Sequence, residues 1–377
     1  MVALARKTLV HEWRRFLPAI LAVGFAGLLQ LLQAALVLGI FSSASIYVTG
    51  SSADLWVGYP GTQSVSLGRS IDPNVEGRLL MDPAVERAEP FIWLDADWRG
   101  QSDTGGESVY VSGIDPRPDG LMFARVLPSA LRMRLREPDA VIVDEADTDK
   151  LGVAVGDTAT INGHRVRVVG ASSGLRALGG VNVVASLDTA RMLDTDPADR
   201  DRPTYFVARL HDPAAADAVA RRISGARGFD RYEVWTAPAF ARRSVLYWML
   251  DTGAGAGVLF LAGVVFVVGA IITSQTLVAA VAGSVREYAT LNALGVGMRA
   301  LRWVVLEQAT WVGVSGLLCA SVFGAVLLAL ARGQDVPVVL DVPVALACAV
   351  LTMGLTTVSG LAAIRSLRHA DPASLLR

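Results

Sequence analysis

Cysteine, histidine and lysine are scarce in this chain of 377 residues, and each shortage closes off a class of chemistry. The two cysteines, Cys319 and Cys348, both fall inside apolar runs. The long polar segment therefore holds no disulfide, although an oxidising compartment would permit one. Both cysteines read as small core hydrophobes. The four histidines, His11, His164, His211 and His369, are scattered, which leaves little material for a zinc site or a Ser-His-Asp constellation. His11-Glu12 opens like a zinc-protease helix, but Arg15 stands where the second histidine belongs. The only lysines are Lys7, after Arg6, and Lys150, after Asp149, so there is no Gly-Lys-Ser/Thr phosphate loop. A conventional P-loop ATPase is excluded on that ground. Asp144-Glu145-Ala146-Asp147 spells a helicase box, but without a phosphate loop it reads as the start of a helix after a strand. Charged residues make up 18% of the chain, short of the about one quarter usual in soluble domains. The net charge of -1 gives no basic field for nucleic acid.

What the chain has instead is apolar length. Hydrophobic residues reach 53% and the mean hydropathy is +0.45. The excess is concentrated in four runs, at 16–41, 253–283, 303–330 and 341–364. Each exceeds the about 20 residues that cross a bilayer. The first is also too long for the apolar core of a cleaved signal peptide. Residues 1–15 read as an amphipathic helix on the cytoplasmic leaflet, with Leu4, Leu9 and Trp13 set against Arg6, Lys7, Arg14 and Arg15. Arg286, Arg299 and Arg302 lie between the second and third runs, and Arg365, Arg368 and His369 follow the fourth. Short cytoplasmic segments carry the Arg/Lys excess, so both ends and residues 284–302 are expected inside. Residues 42–246 and the short loop 331–340 then lie outside, and 365–377 form a cytoplasmic tail. The expected fold class is a membrane protein of four transmembrane α-helices, with a large α+β extracytoplasmic domain between the first and second.

The outer segment carries strand and helix signals in mixed order. Ser108–Gly113, Ala140–Val143 and Tyr205–Leu210 read as strands. Residues 157–170 read as a hairpin turning at Asn162-Gly163. Asp212 caps a helix that reaches about Ile223, with Pro213 at its first position. Tyr247 and Trp248 form an interfacial pair at the return to the membrane, and the second span is read as continuing the outer segment through them. Gly253 and Gly257 form a GxxxG pair that permits close helix approach.

Several polar groups lie within the apolar runs. Gln30 and Gln33 share a face and are read as helix-helix contacts, with a substrate contact as the alternative. Thr273, Ser274, Gln275 and Thr276 make a polar patch whose hydroxyls can bond to their own helix, or serve function. Glu307, one turn inside the third run, is a functional candidate or an ion-pair partner of Arg299 or Arg302 at the membrane edge.

Between the second and third runs, Tyr288, Leu291 and Leu294 recur at three-residue spacing before Gly295, the pattern of a short helix with a glycine end. Arg286-Glu287-Tyr288-Ala289-Thr290-Leu291-Asn292-Ala293-Leu294-Gly295-Val296-Gly297 resembles the RE-(I/Y)-A-x-L-(R/K)-A-(L/I)-G signature of FtsX/MacB-like ABC transporter permeases, departing from it at Asn292. The tail Arg368–Arg377 resembles that family's R-x-A-x-P-x-x-x-L-R ending. Leu151–Thr158 and Arg209–Pro213 are similar to parts of the MacB-like periplasmic core domain, and Ala53–Val57 to its DevC-like branch. The resemblance implies a ferredoxin-like βαβ layer with an inserted β lobe. It implies that Arg286, Glu287, Tyr288, Leu291, Leu294 and Gly295 form a coupling helix docking on a separate ABC ATPase of the MacB/LolD type. That partner, not this chain, would bind ATP and magnesium. A homodimer, a membrane-fusion protein and an outer-membrane channel are the further partners implied. An FtsX-like lever acting on a cell-wall enzyme is the alternative to export.

Overall fold

The computed structural model describes residues 13–100, 106–224, 232–283, 298–334 and 336–367, without the side chains of 281–302 and 362–367. In chain order the helices and strands are α1 (Trp13–Ser42), α2 (Ile46–Thr49), β1 (Leu55–Gly58), α3 (Val75–Leu80), β2 (Val85–Arg99), β3 (Glu107–Ile114), α4 (Ser129–Arg134), β4 (Ala140–Asp144), α5 (Thr148–Leu151) and β5 (Thr158–Ile161). They continue with β6 (His164–Ser172), β7 (Val181–Ser186), α6 (Leu187–Leu193), β8 (Tyr205–Leu210), α7 (Ala216–Ile223), β9 (Glu233–Thr236), α8 (Ala237–Leu246), α9 (Ala254–Gly283), α10 (Met298–Arg332) and α11 (Val342–Leu367). The chain forms two compact units, 1–39 with 255–377, and 40–254.

The first unit is helical. Its four long helices supply spans at Trp13–Thr49, Ala254–Ala280, Trp303–Arg332 and Val342–Leu361, each apolar enough to cross a membrane. Phe260, Val322 and Val350 are largely exposed on them, an arrangement stable only where the surroundings are hydrocarbon. Contacts between the helices rely on small residues, since lipid offers no hydrophobic drive to associate. Ala19 and Val23 of α1 cluster with Leu277 and Ala280 of α9 and with Ala309 and Val312 of α10. At the α1–α10 crossing a Cβ on Gly24 would stand 3.2 Å from the Gly316 carbonyl oxygen, and one on Gly316 would stand 2.6 Å from Val23 Cγ1. The GxxxG pair behaves otherwise. Gly253 adopts φ +75° in the turn ahead of α9, and a Cβ on Gly257 would meet nothing within 4 Å. Close packing of α9 falls farther along, where a Cβ on Gly269 would stand 3.1 Å from Ala26 Cβ.

The second unit is built on a split βαβ layer. Strands β9, β1, β8 and β2 pair antiparallel in that order, with α3 between β1 and β2 and α7 between β8 and β9. This is the ferredoxin-like layer that the resemblance implies. The chain between β2 and β8 adds the lobe. Here the far half of β2 pairs with β3 and β5, closing the ring β2-β3-β7-β4-β6-β5. Closure removes free strand edges, and alternation turns Trp98, Val109, Val111, Val141, Val166 and Val183 into one apolar core. The β5–β6 hairpin turns at Asn162 (φ 49°) and Gly163 (φ 84°), the two positive values a type I′ turn needs. Asp212 accepts from the Ala214 N–H and opens a 3-10 turn, Pro213–Ala215, ahead of α7. Asp144 caps the turn after β4, so the apparent helicase box is local structure.

The Gly24–Gly316 crossing makes a testable case. Gly316→Val should cost about 1–3 kcal/mol through overpacking, read as a lower denaturation midpoint in detergent. Gly354→Val, where a Cβ would meet nothing within 4 Å, should leave the midpoint nearly unchanged.

Candidate functional site

Two short elements carry the chain into and out of the second unit. α2 is the last turn of the first span, and α8 precedes the second. Tyr47 and Val48 of α2 and Phe240 of α8 are buried in one cluster with Trp56, Phe91, Tyr205 and Trp235 from the sheet. Along β1, Leu55 and Val57 join the cluster under α3 and α7, while Trp56 between them takes the opposite face. Trp56 lies 5.8 Å from Phe91, 5.5 Å from Tyr205 and 5.6 Å from Phe240 between ring centroids, and Trp235 stacks on Phe240 at 4.7 Å. Such edge and stacked pairs add about 0.5–1.5 kcal/mol each to area burial. The Tyr205 hydroxyl donates to the Val65 carbonyl at 2.9 Å, so this buried polar tip is satisfied.

A buried charge network fastens a loop around α2. Glu89 and Arg132 are each only 1% exposed. Glu89 accepts from the Leu121 N–H at 2.8 Å and pairs with Arg87 at 2.6 Å. Arg132 donates to the carbonyls of Asp115 and Met122. The loop so held turns through Phe123 at φ 53°, a conformation uncommon outside glycine. Phe123 packs on Tyr47 at 6.0 Å, and the loop bonds to the chain beyond α2 through Arg125 N–H to the Gly50 carbonyl and Ser52 N–H to the Leu121 carbonyl. Burial pushes the Glu89 carboxyl up and the Arg132 guanidinium down, the desolvation cost that the network offsets. Sequence alternation along β2 marks the apolar positions but does not mark Glu89, whose partners are distant in sequence.

The helix leading to the second span is not continuous. α8 ends at Leu246, a π turn occupies Tyr247–Asp251, and Gly253 at φ 75° separates it from α9. The helical run continues through Tyr247 to Asp251 and is interrupted only at Gly253, where a residue with no Cβ suits the positive φ. Trp248, expected at an interface, donates its indole N–H to Ser64 Oγ at 3.1 Å.

Of the intramembrane candidates, Gln30 is joined to another helix. Its Oε1 accepts from Thr352 Oγ1 at 3.3 Å, a link between α1 and α11 of the kind that holds membrane helices together. The Nε2 atoms of Gln30 and Gln33, Thr273 Oγ1 and Glu307 Oε1 are buried without a hydrogen-bond partner among the described residues. Thr276 bonds to its own helix, at the carbonyls of Ile272 and Thr273. Gln275 is exposed on α9. No hydrogen bond joins Thr273, Gln275 and Glu307 to one another among the described residues. Thr352, Thr356 and Ser359 of α11, buried at i, i+4 and i+7, complete the polar interior. Their helical spacing was the available signal for them. Arg286, Glu287, Tyr288, Leu291, Leu294 and Gly295, expected from the resemblance to form a coupling helix, lie outside the described residues. Residues 1–12 and 368–377, which include the amphipathic opening and the tail motif, do so as well. No group of metal-ligating side chains occurs among the described residues.

Together these features define a multi-pass membrane component with one large mixed α/β domain between its first and second spans in chain order. Residues 19–226 match the MacB-like periplasmic core domain, and residues 259–372 match the FtsX-like permease C-terminal region. The chain belongs to this family of MacB/FtsX-like permeases. No curated protein matches it. Among solved structures, the periplasmic region of MacB from Actinobacillus actinomycetemcomitans is 12% identical, with TM-score 0.37, covering 52% of this chain and 94% of its own. The extracellular domain of the noncanonic ABC-type transporter YknZ from Gram-positive bacteria is 13% identical, with TM-score 0.34, covering 49% and 100%. A permease-protein domain from Porphyromonas gingivalis is 14% identical, with TM-score 0.31, covering 49% and 86%.

Two substitutions test the packing around α2 and α8. Trp56→Ala should cost about 3–5 kcal/mol by leaving a cavity among the aromatic rings, measured by denaturation followed in near-UV circular dichroism. Arg132→Met should cost about 1–3 kcal/mol by leaving the buried carbonyls of Asp115 and Met122 without their donor. Its readout is faster tryptic cleavage at Arg117 and Arg125 in the loop the network holds.

Proposed function

We propose that this chain is the permease subunit of an ABC exporter, turning the ATP-driven motion of a separate ATPase into a change of shape in its extracytoplasmic domain. The observation that carries this reading is the shared core of α2 and α8. Both connections to the membrane spans pack into one buried cluster, Tyr47 against Phe91 and Phe240 against Trp56, and Trp56 and Phe91 touch each other. A displacement of either connection therefore reaches the sheet rather than being lost in a loop. Family membership supplies the expectation of an ABC ATPase partner.

In this reading the chain lies in the bacterial inner membrane with both termini in the cytoplasm, as its arginine distribution favours. Glu287, Tyr288, Leu291 and Leu294 dock on the ATPase, which binds ATP and magnesium. Two copies of the chain provide eight spans. A membrane-fusion protein and an outer-membrane channel complete the path where a second membrane exists. The cargo is a small molecule, lipid or peptide already at the outer face.

The alternative is an FtsX-like lever that transports nothing and activates a cell-wall enzyme. The large second unit, 40–254, weighs toward export. Glu287→Arg should leave the protein in the membrane and abolish stimulation of the partner's ATP hydrolysis, assayed in reconstituted vesicles. Normal stimulation would remove the docking assignment. Depletion separates export from regulation: a retained compound supports the first, and a wall defect with no retained compound supports the second.

A further inference from the structure

One outward face of the ring in the second unit sets two exposed carboxylates beside two rings that pack on the aromatic core from one side and stay partly exposed on the other. Cross-strand register places Trp93 opposite Ser112, Asp95 opposite Tyr110 and Asp97 opposite Ser108. Side chains at alternate positions share a face, and directly paired ones stand about 5 Å apart at Cβ. Trp93, Asp95 and Asp97 of β2 therefore line one side of a strip, and Ser108 and Tyr110 of β3 the other. The opposite side of these strands carries Ala96, Trp98, Val109 and Val111 into the ring's core.

The aromatic pair in this strip is held rigidly. Trp93 and Tyr110 lie 5.0 Å apart at 39°. The Trp93 indole N–H donates to the Tyr47 hydroxyl at 3.2 Å, which fixes the ring from behind. A Cβ on Gly180 would stand 2.8 Å from the Tyr110 ring, so the backbone of that loop lies directly against it. Both rings stay partly exposed, and Asp95 and Asp97 are exposed beside them. Neither carboxylate has an ion pair among the described residues, although this unit uses arginine freely for such pairs elsewhere, as at Arg222–Asp82 and Arg176–Asp147. Asp95 is close enough that its charge, after the larger effect of burial, pushes the Tyr110 hydroxyl up. Asp95 is open to solvent on one side, and the packing on its other side removes enough water to push its carboxyl up, with no opposing charge to lower it.

We infer that Trp93, Tyr110 and Asp95 form a binding site for a small organic cation with an apolar or aromatic body. The rings offer a flat apolar surface and the negative faces that attract a cation, and the carboxylate supplies the charge. A neutral apolar ligand would leave Asp95 unpaired, and an anion would be repelled. Binding here does not need the transport reading. That the bound cation is cargo does rest on it, so binding is measured without any ATPase.

The test uses the full chain in lipid nanodiscs and tetraphenylphosphonium as probe, followed by equilibrium dialysis against empty nanodiscs. Saturable binding beyond the empty nanodiscs is expected. Asp95→Asn and Tyr110→Leu should each weaken it by about tenfold. Asp217→Asn, an exposed carboxylate on α7, should not change it. The neutral analogue triphenylphosphine oxide should bind no better than to empty nanodiscs. Asp95 is exposed, so its isosteric replacement keeps the fold, checked by an unchanged circular dichroism spectrum. Equal binding by wild type and Asp95→Asn, no saturable binding at all, or equal binding of the neutral analogue would each overturn the assignment. Loss of transport with binding intact would instead count against the exporter reading alone.

Discussion

The packing of Trp56 between Phe91, Tyr205 and Phe240 is the interaction on which the second unit depends. A domain spliced between two membrane spans is tied at both ends to helices that pack in hydrocarbon. Flexible loops at those ends would leave the tie slack. Here each end is instead a helical element buried in the same cluster, and the cluster is aromatic, so a few side chains cover much area with little rotamer freedom to lose. The buried Glu89–Arg132 network adds direction rather than bulk. It fixes the loop that closes over Tyr47, and its polar groups are exposed to strong penalties if any member is lost.

The helical unit obeys a different economy. Water provides no drive for one span to find another in hydrocarbon, so contact is gained where backbones come close and where a polar group finds a partner. Gly24 with Gly316 serves the first purpose and Gln30 with Thr352 the second. Buried polar atoms without partners, such as Thr273 Oγ1, mark places where this arrangement is not held by its own hydrogen bonds.

Much of this was legible beforehand because its physics is local. Four apolar runs, the Asn162-Gly163 turn and the Asp212 cap each depend on neighbours in sequence, and the structure places helices, hairpin and cap there. What escaped depends on distant partners. Nothing near Glu89 announces Leu121, and nothing in β2 announces that its two halves belong to different sheets. The GxxxG pair shows the converse error: Gly253 serves a chain reversal of φ, not a helix contact, and spacing alone does not separate the two uses. The polar spacing of Thr352, Thr356 and Ser359 was present but diluted by a long apolar run.

In the proposed topology, Glu287–Leu294 and the outer segment 42–246 lie on opposite sides of one membrane, as the arginine distribution favours. Cysteine labelling tests it most directly. Tyr288→Cys and Asp157→Cys are introduced singly into a chain whose Cys319 and Cys348 are replaced by alanine, and intact cells are treated with a membrane-impermeant maleimide. The account predicts labelling at position 157 in intact cells and at position 288 only after the membrane is opened. Labelling of position 288 from outside, or of both positions from the same side, would contradict it.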